Sequence, residues 1–103
     1  MNDTEKNECA ELLRAIVRQI EMYSLGKKLY PNMVNTLDVE ISRLMDNQTD
    51  LQNRLRKEWR VLEEVNALAL DEESLSPLEE HQSIAERALA NLTAIANSEL
   101  DRF

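Results

Sequence analysis

The fold of this chain is decided by residues 31–70, PNMVNTLDVEISRLMDNQTDLQNRLRKEWRVLEEVNALAL. The stretch holds no glycine and no proline after its first residue, and its apolar residues recur at steps of three and four. That spacing is typical of one face of an α-helix. The apolar row consists of Val34, Leu37, Ile41, Leu44, Leu51, Leu55, Trp59, Leu62 and Val65. It predicts one continuous helix over about residues 31–70, which would be about 60 Å long.

The apolar row is interrupted by one polar residue, and its heptad spacing shifts once. Val34 to Leu55 follow a heptad in which Gln48 takes a seam position, where a polar side chain can fix the register of associating helices. Beyond Leu55 the row shifts to Trp59, which we interpret either as a core anchor or as an interface hot spot. Residues 46–50 form the most polar window, and a break there would divide the helix into two.

One shorter helix is predicted before this stretch and one after it. The first covers about residues 4–25, where Asn2, Asp3 or Thr4 can cap the start and Gly26, after the end, can adopt the positive φ that often follows a helix. The last covers about residues 77–101. Its start is predicted from the sequence SPLE at residues 76–79, which offers a capping serine, a proline at the first position and a glutamate three residues later.

These lengths predict an all-α fold, a single domain over residues 1–103 that forms an elongated antiparallel three-helix bundle. The long central helix would pack in a coiled-coil-like manner against both shorter helices. Much of such a bundle is two helices thick, so apolar surface would stay open for a partner, most simply a second copy in a dimer. The predicted interface consists of Val34, Leu37, Ile41, Leu44, Gln48, Leu51, Leu55, Trp59 and Leu62.

Charge is distributed unevenly along the chain. The net charge is −8, and residues 61–103 carry ten acidic side chains but only two basic ones, Arg87 and Arg102. An acidic chain repels phosphate, so direct nucleic-acid binding and electrostatic attraction to a membrane are not expected. The acidic segment is interpreted as a solvated surface or as a docking surface for a basic partner. That docking surface would be formed by Glu72, Glu73, Glu79 and Glu80.

The residue types that carry chemistry are scarce. His81 is the only histidine and Cys9 the only cysteine, and the residue three before His81 is Leu78, which does not fit the Glu-x-x-His motif of di-iron bundles. We interpret His81 as a partly exposed residue near a helix start and Cys9 as a small buried core residue. The sequence therefore predicts no catalytic residue, no metal site and no cofactor, and we expect the protein not to be an enzyme.

Two functions follow from these features. The first is a non-catalytic protein–protein interaction module, assembly subunit or adaptor that oligomerises through its long helix. The alternative is an acidic inhibitor or chaperone-like protein that occupies a basic site on a partner. The single cysteine, the polar N-terminus and the absence of an apolar run long enough for a membrane helix predict an intracellular, cytoplasmic location.

Overall fold

The structure, a computed structural model, describes residues 2–44 and 48–103, and it is built from helices and their connections in these ranges. The predicted all-α class is confirmed. Within the described residues there are four α-helices, which are α1 Asp3–Ser24, α2 Tyr30–Ser42, α3 Thr49–Asp71 and α4 Gln82–Leu100. A 3₁₀ turn at Glu79–His81 directly precedes α4.

The predicted continuous helix over residues 31–70 is wrong, because this stretch forms α2 and α3. The end of α2 is a tightened turn, in which the N–H of Arg43 lies 3.2 Å from the carbonyl oxygens of Val39 and Glu40. Residues 45–47, which include the start of the polar window at residues 46–50, lie outside the described residues. Folding back lets both halves of the apolar row pack on each other within one chain, so they leave water without a second copy.

Three hydrogen bonds between α2 and α3 show that the two helices run antiparallel. The Gln52 amide donates to the Ile41 carbonyl at 2.9 Å near the turn between the helices. The Trp59 indole donates to the carbonyl of Val34 at 2.9 Å, farther from the turn. At the far end, the Tyr30 hydroxyl donates to the Leu62 carbonyl at 2.8 Å. The residue numbers of the bonded positions therefore decrease along α2 as they increase along α3, as in an antiparallel pair.

The four helices form a closed ring. Each helix packs against the one before and the one after it in the chain, and α4 also packs against α1. The molecule measures 46 × 24 × 19 Å along its principal axes, so it is about one helix length long and two helices across. The predicted three-helix arrangement with a two-helix-thick layer is replaced by a four-helix arrangement in which each helical pair covers the apolar face of the other.

The core lies on the axis of this ring. Its largest fully buried side chains come from all four helices, and they are Leu13, Ile16, Tyr30, Met33, Val34, Leu37, Ile41, Leu55, Leu62 and Leu92. Small residues on α4, including Ala85, Ala88 and Ala96, are also buried, and their short side chains permit close approach of the neighbouring helices. Burial of these faces supplies the main free energy that opposes the loss of chain entropy on folding.

The ends of α1 and α3 share one capping geometry. After α1, Gly26 has a φ of 74°, and the N–H of Lys27 donates to the Met22 carbonyl at 2.8 Å. After α3, Glu73 has a φ of 57°, and the N–H of Ser74 donates to the Ala69 carbonyl at 2.8 Å. Both are Schellman motifs, which satisfy carbonyls left free at a helix end. The predicted role of the glycine is confirmed, whereas the sequence did not indicate the second motif.

The start of the last helix differs from the prediction, because α4 begins at Gln82 rather than at residue 77. Leu78 is extended, with φ −63° and ψ 149°, and Pro77 before it is buried. The backbone N–H of Ser76 donates to the Ser74 hydroxyl oxygen at 3.2 Å, within the loop. The serine and proline that predicted a helix start therefore belong to the loop. At the other end of the chain, Asn2 is the one of the three predicted candidates that caps α1, since its side chain accepts the backbone N–H of Glu5 at 2.8 Å.

Candidate functional site

The predicted interface lies inside the bundle. Seven of its nine members are buried side chains within a single chain, and these are Val34, Leu37, Ile41, Leu44, Leu51, Leu55 and Leu62. Gln48, directly before α3, and Trp59 are half-buried. A partner can reach the buried seam residues only if the bundle opens, so they provide core packing in this structure rather than an accessible surface.

Trp59 and the neighbouring cations are also engaged within the chain. Trp59 packs against the core, and the Arg56 guanidinium lies 4.7 Å from the centroid of its ring. Arg56 also contacts the Asp38 carboxylate at 2.6 Å, and Arg54 lies 3.6 Å from the Glu99 carboxylate. The interpretation of Trp59 as a core anchor fits these contacts.

The predicted acidic docking surface lies on the connection between α3 and α4. Glu72, Glu73, Glu79 and Glu80 are all exposed. Because the helices alternate in direction around the ring, the connection between α1 and α2 lies at the same end of the bundle. We call this region the acidic end, and we define it as residues 25–29 together with residues 68–86.

Exposed apolar side chains are concentrated at the acidic end. Among residues 2–44 and 48–103, eight large apolar side chains are exposed, and six of them belong to this region. These six are Leu25, Leu29, Leu68, Leu70, Leu75 and Ile84. The most exposed is Leu25, at 69%. Because exposed apolar surface often marks an interaction site, whereas single exposed residues are not informative, this end of the bundle is the candidate interaction surface.

An open cavity of 560 Å³ separates the two loops of the acidic end. Its walls include Tyr23 and Gly26 from the end of α1, Pro77 from the second loop, and Glu86 and Leu89 from α4. This volume lies within the range of roughly 300–1,000 Å³ that is usual for ligand sites. The cavity exists because antiparallel packing of α1 against α4 brings the two loops side by side.

Tyr23 and Glu86 are the titratable residues among those that line the cavity. The Tyr23 ring makes an edge contact with the ring of Tyr30, with centroids 5.4 Å apart and planes at 68°. Burial raises the pKa of the Tyr23 phenol above its usual value, and the negative charge of Glu86 raises it further. The phenol is therefore neutral at physiological pH, and the Glu86 carboxylate is close enough to influence it.

The cations nearest to the cavity in sequence do not line it. Lys28 is held by the side chains of Gln19 and Thr36, and Lys27 and Arg87 are exposed. Of the described residues that form the cavity wall, Glu86 is the one acidic residue, and neither lysine nor arginine is among them. The cavity therefore has an anionic wall without a cationic partner beside it.

The other candidate residues lie apart from this cavity. Cys9 is buried, as predicted, and burial together with the charge of Glu99 raises the pKa of its thiol. His81 is half-buried where the 3₁₀ turn meets α4, and its Nδ1 has no hydrogen-bond partner among the described residues. Within residues 2–44 and 48–103, no three His, Cys, Asp or Glu side chains are grouped closely enough to hold a metal ion.

Sequence reasoning found the acidic residues of this end but missed its apolar side chains and its cavity. The leucines belong to two separate segments, residues 25–29 and 68–75, which lie at the same end of the bundle only because the four helices alternate in direction. The signal that could have indicated them was their position at predicted helix ends, outside the periodic rows.

Comparison with known proteins identifies no relative. The chain matches no protein-family model, and neither the curated proteins nor the solved structures that were searched contain a significant match. None of the helices in the described part of the chain is both long enough and apolar enough to cross a membrane.

Proposed function

We propose that this protein is a non-catalytic helical interaction module that occupies a basic, partly apolar site on a protein partner through its acidic end. The observation that carries the proposal is the grouping, at one end of the bundle, of exposed carboxylates, exposed leucines and an open cavity. Each of these features alone is common on protein surfaces. Their combination suits a partner that brings both positive charge and apolar side chains.

The two types of side chain would contribute differently to binding. Burial of the exposed leucines removes apolar area from water, at about 25 cal/mol for each Å². The carboxylates would steer a basic partner towards this end and increase the rate of association. Because exposed charges are screened by ions, the proposal implies an affinity that falls as salt concentration rises.

The arrangement of the reactive side chains supports a non-catalytic role. Cys9 lies near the start of α1, close to Glu99 at the end of α4. His81 lies directly before the start of α4, at the opposite end of the bundle. A nucleophile and its base must lie within hydrogen-bond reach of each other, and these two side chains are separated by the length of α4.

Self-association through residues 31–70 stays a prediction without structural support, since its seam residues pack within one chain. Opening the bundle to expose them would forfeit the free energy of core burial. The acidic end needs no such opening, and we therefore assign partner binding to it.

A defined basic probe tests the proposed function. The probe is an amphipathic helical peptide with leucines on one face and lysines and arginines on the other, and its binding is followed by isothermal titration calorimetry. Neutralising Glu72, Glu73, Glu79 and Glu80 to glutamine should weaken binding by about tenfold or more, or about 1.4 kcal/mol. Raising the salt concentration from about 0.05 to 0.5 M should weaken binding to the unmodified protein as well.

The matched control neutralises four exposed carboxylates at the opposite end of the bundle. Glu8, Glu11, Asp50 and Asp101 are exposed, and their replacement by the corresponding amides changes the net charge by the same amount. This variant should keep most of the affinity. Equal losses in the two variants would show that the peptide responds only to net charge, and the proposed docking surface would then be wrong.

A further inference from the structure

We propose that the cavity between the two loops of the acidic end binds the side chain of an arginine supplied by the partner. This inference rests on the proposed function, because it identifies one group that the partner inserts. It depends on the particular chemistry of the cavity wall and not on the acidic residues around it.

The first argument is charge. Glu86 gives the cavity wall its negative charge, and the chain has no lysine or arginine from Val61 to Glu86. The C-terminal end of α1 adds the partial negative charge of its helix dipole, which opposes the partial positive charge at the start of α4. Since the partial charges of these two helix ends oppose each other, the Glu86 carboxylate determines the sign of the electrostatic potential in the cavity. The cavity therefore attracts a cation.

The second argument is the shape of the ligand. Arginine has a planar guanidinium that can form two parallel hydrogen bonds to one carboxylate and can stack on an aromatic ring. Tyr23 supplies such a ring, and its edge contact with Tyr30 restricts the orientation of the ring. A guanidinium placed between Tyr23 and Glu86 would make both interactions at once, which a compact lysine ammonium cannot do with the same geometry.

The third argument is the rest of the wall. Pro77, Ala85 and Leu89 are largely covered by the protein and form the apolar floor of the cavity, against which the methylene groups of an arginine side chain can lie. Ser24, Ser76 and Gln82 also line the cavity, and each carries a side-chain oxygen of a type that can accept N–H groups that the carboxylate does not use. The wall thus matches the apolar stem and the cationic head of one residue type.

A small-molecule titration tests the inference separately from the proposed function. Nα-acetylarginine amide is added to ¹⁵N-labelled protein, and backbone amide shifts are followed by nuclear magnetic resonance. We expect saturable shifts at Gly26, Gln82 and Glu86, with a dissociation constant of about 1–10 mM, as for one isolated side chain. Nα-acetylcitrulline amide, which has nearly the same shape and no charge, should produce far smaller shifts.

Three variants identify the groups responsible. Glu86→Gln and Tyr23→Leu should each weaken the arginine titration by about fivefold or more, whereas Tyr23→Phe, which keeps the ring, should retain it. Shifts that are spread over all exposed carboxylates, or that survive in Glu86→Gln, would overturn the inference.

The two proposals fail in different ways. If the amphipathic peptide binds at the acidic end but the arginine probe does not enter the cavity, the interaction module stands and the arginine site is wrong. If the arginine probe binds but the peptide does not, the cavity site stands without the proposed docking function.

Discussion

The indole Nε1 of Trp59 donates a 2.9 Å hydrogen bond to the backbone carbonyl of Val34. This bond joins the middle of α3 to the first half of α2. On the same side, the Arg56 guanidinium lies over the indole ring, and it also contacts the Asp38 carboxylate and the Ser42 hydroxyl. These contacts hold the two helices in their antiparallel register around the turn.

Replacing Trp59 with phenylalanine should therefore destabilise the protein without changing its fold. The substitution keeps an aromatic ring but removes the donor to Val34 and reduces the surface under Arg56. We expect the free energy of unfolding to fall by about 1–2 kcal/mol. Urea unfolding followed by far-ultraviolet circular dichroism measures the change. Arg56→Gln, which removes the cation but keeps the indole bond, separates the two contributions.

The same pair of residues explains what the sequence could predict. In one continuous helix, Val34 and Trp59 would lie about 38 Å apart. The apolar spacing is the same whether the chain continues or folds back, because both forms bury the same face of each helix. The periodicity therefore predicted the helical segments and most of the core residues, but it could not decide whether they pack on a second copy or on each other.

The candidate site was predictable only in part, for a related reason. Local signals indicated the acidic residues and the positive φ of Gly26, because each depends on neighbours in the sequence. Leu25 and Leu75 are separated by about half of the chain, and only the topology of the ring brings their loops to the same end. Glu73 adopts a positive φ without being glycine, so its Schellman motif left no signal in the sequence.

The positive φ angles of Gly26 and Glu73 predict that substitutions at these two positions change stability in opposite directions. At Gly26 an added Cβ would meet no heavy atom within 4 Å, so Gly26→Ala should cost only the strain of a positive φ, about 1 kcal/mol. At Glu73 the positive φ is already imposed on a residue with a side chain, so Glu73→Gly should raise stability by up to about 1 kcal/mol. Thermal unfolding of both variants measures the two shifts. Shifts of the same sign would contradict the assigned geometry.

Leu55 and Leu68 test whether the apolar row is core or surface. Both are leucines on α3, but Leu55 is fully buried and Leu68 is 40% exposed. Leu55→Ala should lower the free energy of unfolding by about 2–5 kcal/mol, because it leaves a cavity in the core. Leu68→Ala should change it by less than about 1 kcal/mol. Urea unfolding at several protein concentrations also shows whether stability depends on association, as the predicted dimer would require.

Glu40 makes stability depend on pH in a direction opposite to that of an ion-paired carboxylate. It is 8% exposed on α2, and its Oε2 has no hydrogen-bond partner among the described residues. Burial raises the pKa of Glu40 above its usual value, although the positive charges of Lys28, Arg43 and Arg18 act to lower it. The folded state therefore binds the carboxyl proton more tightly than the unfolded state does.

The contribution of Glu40 to stability is fully present below the usual pKa of a glutamate, and it is lost as pH rises through the raised pKa of the folded state. Glu40→Gln replaces the carboxyl with a neutral amide of similar shape, so this loss should disappear. The stability of the variant relative to the unmodified protein should then increase from about pH 4 to pH 7. Urea unfolding across this range measures the difference, with Glu64→Gln, the same change on an exposed face of α3, as the matched control. A relative stability of Glu40→Gln that falls with rising pH would show that the three cations outweigh burial, and that the carboxylate is stabilised in the folded protein.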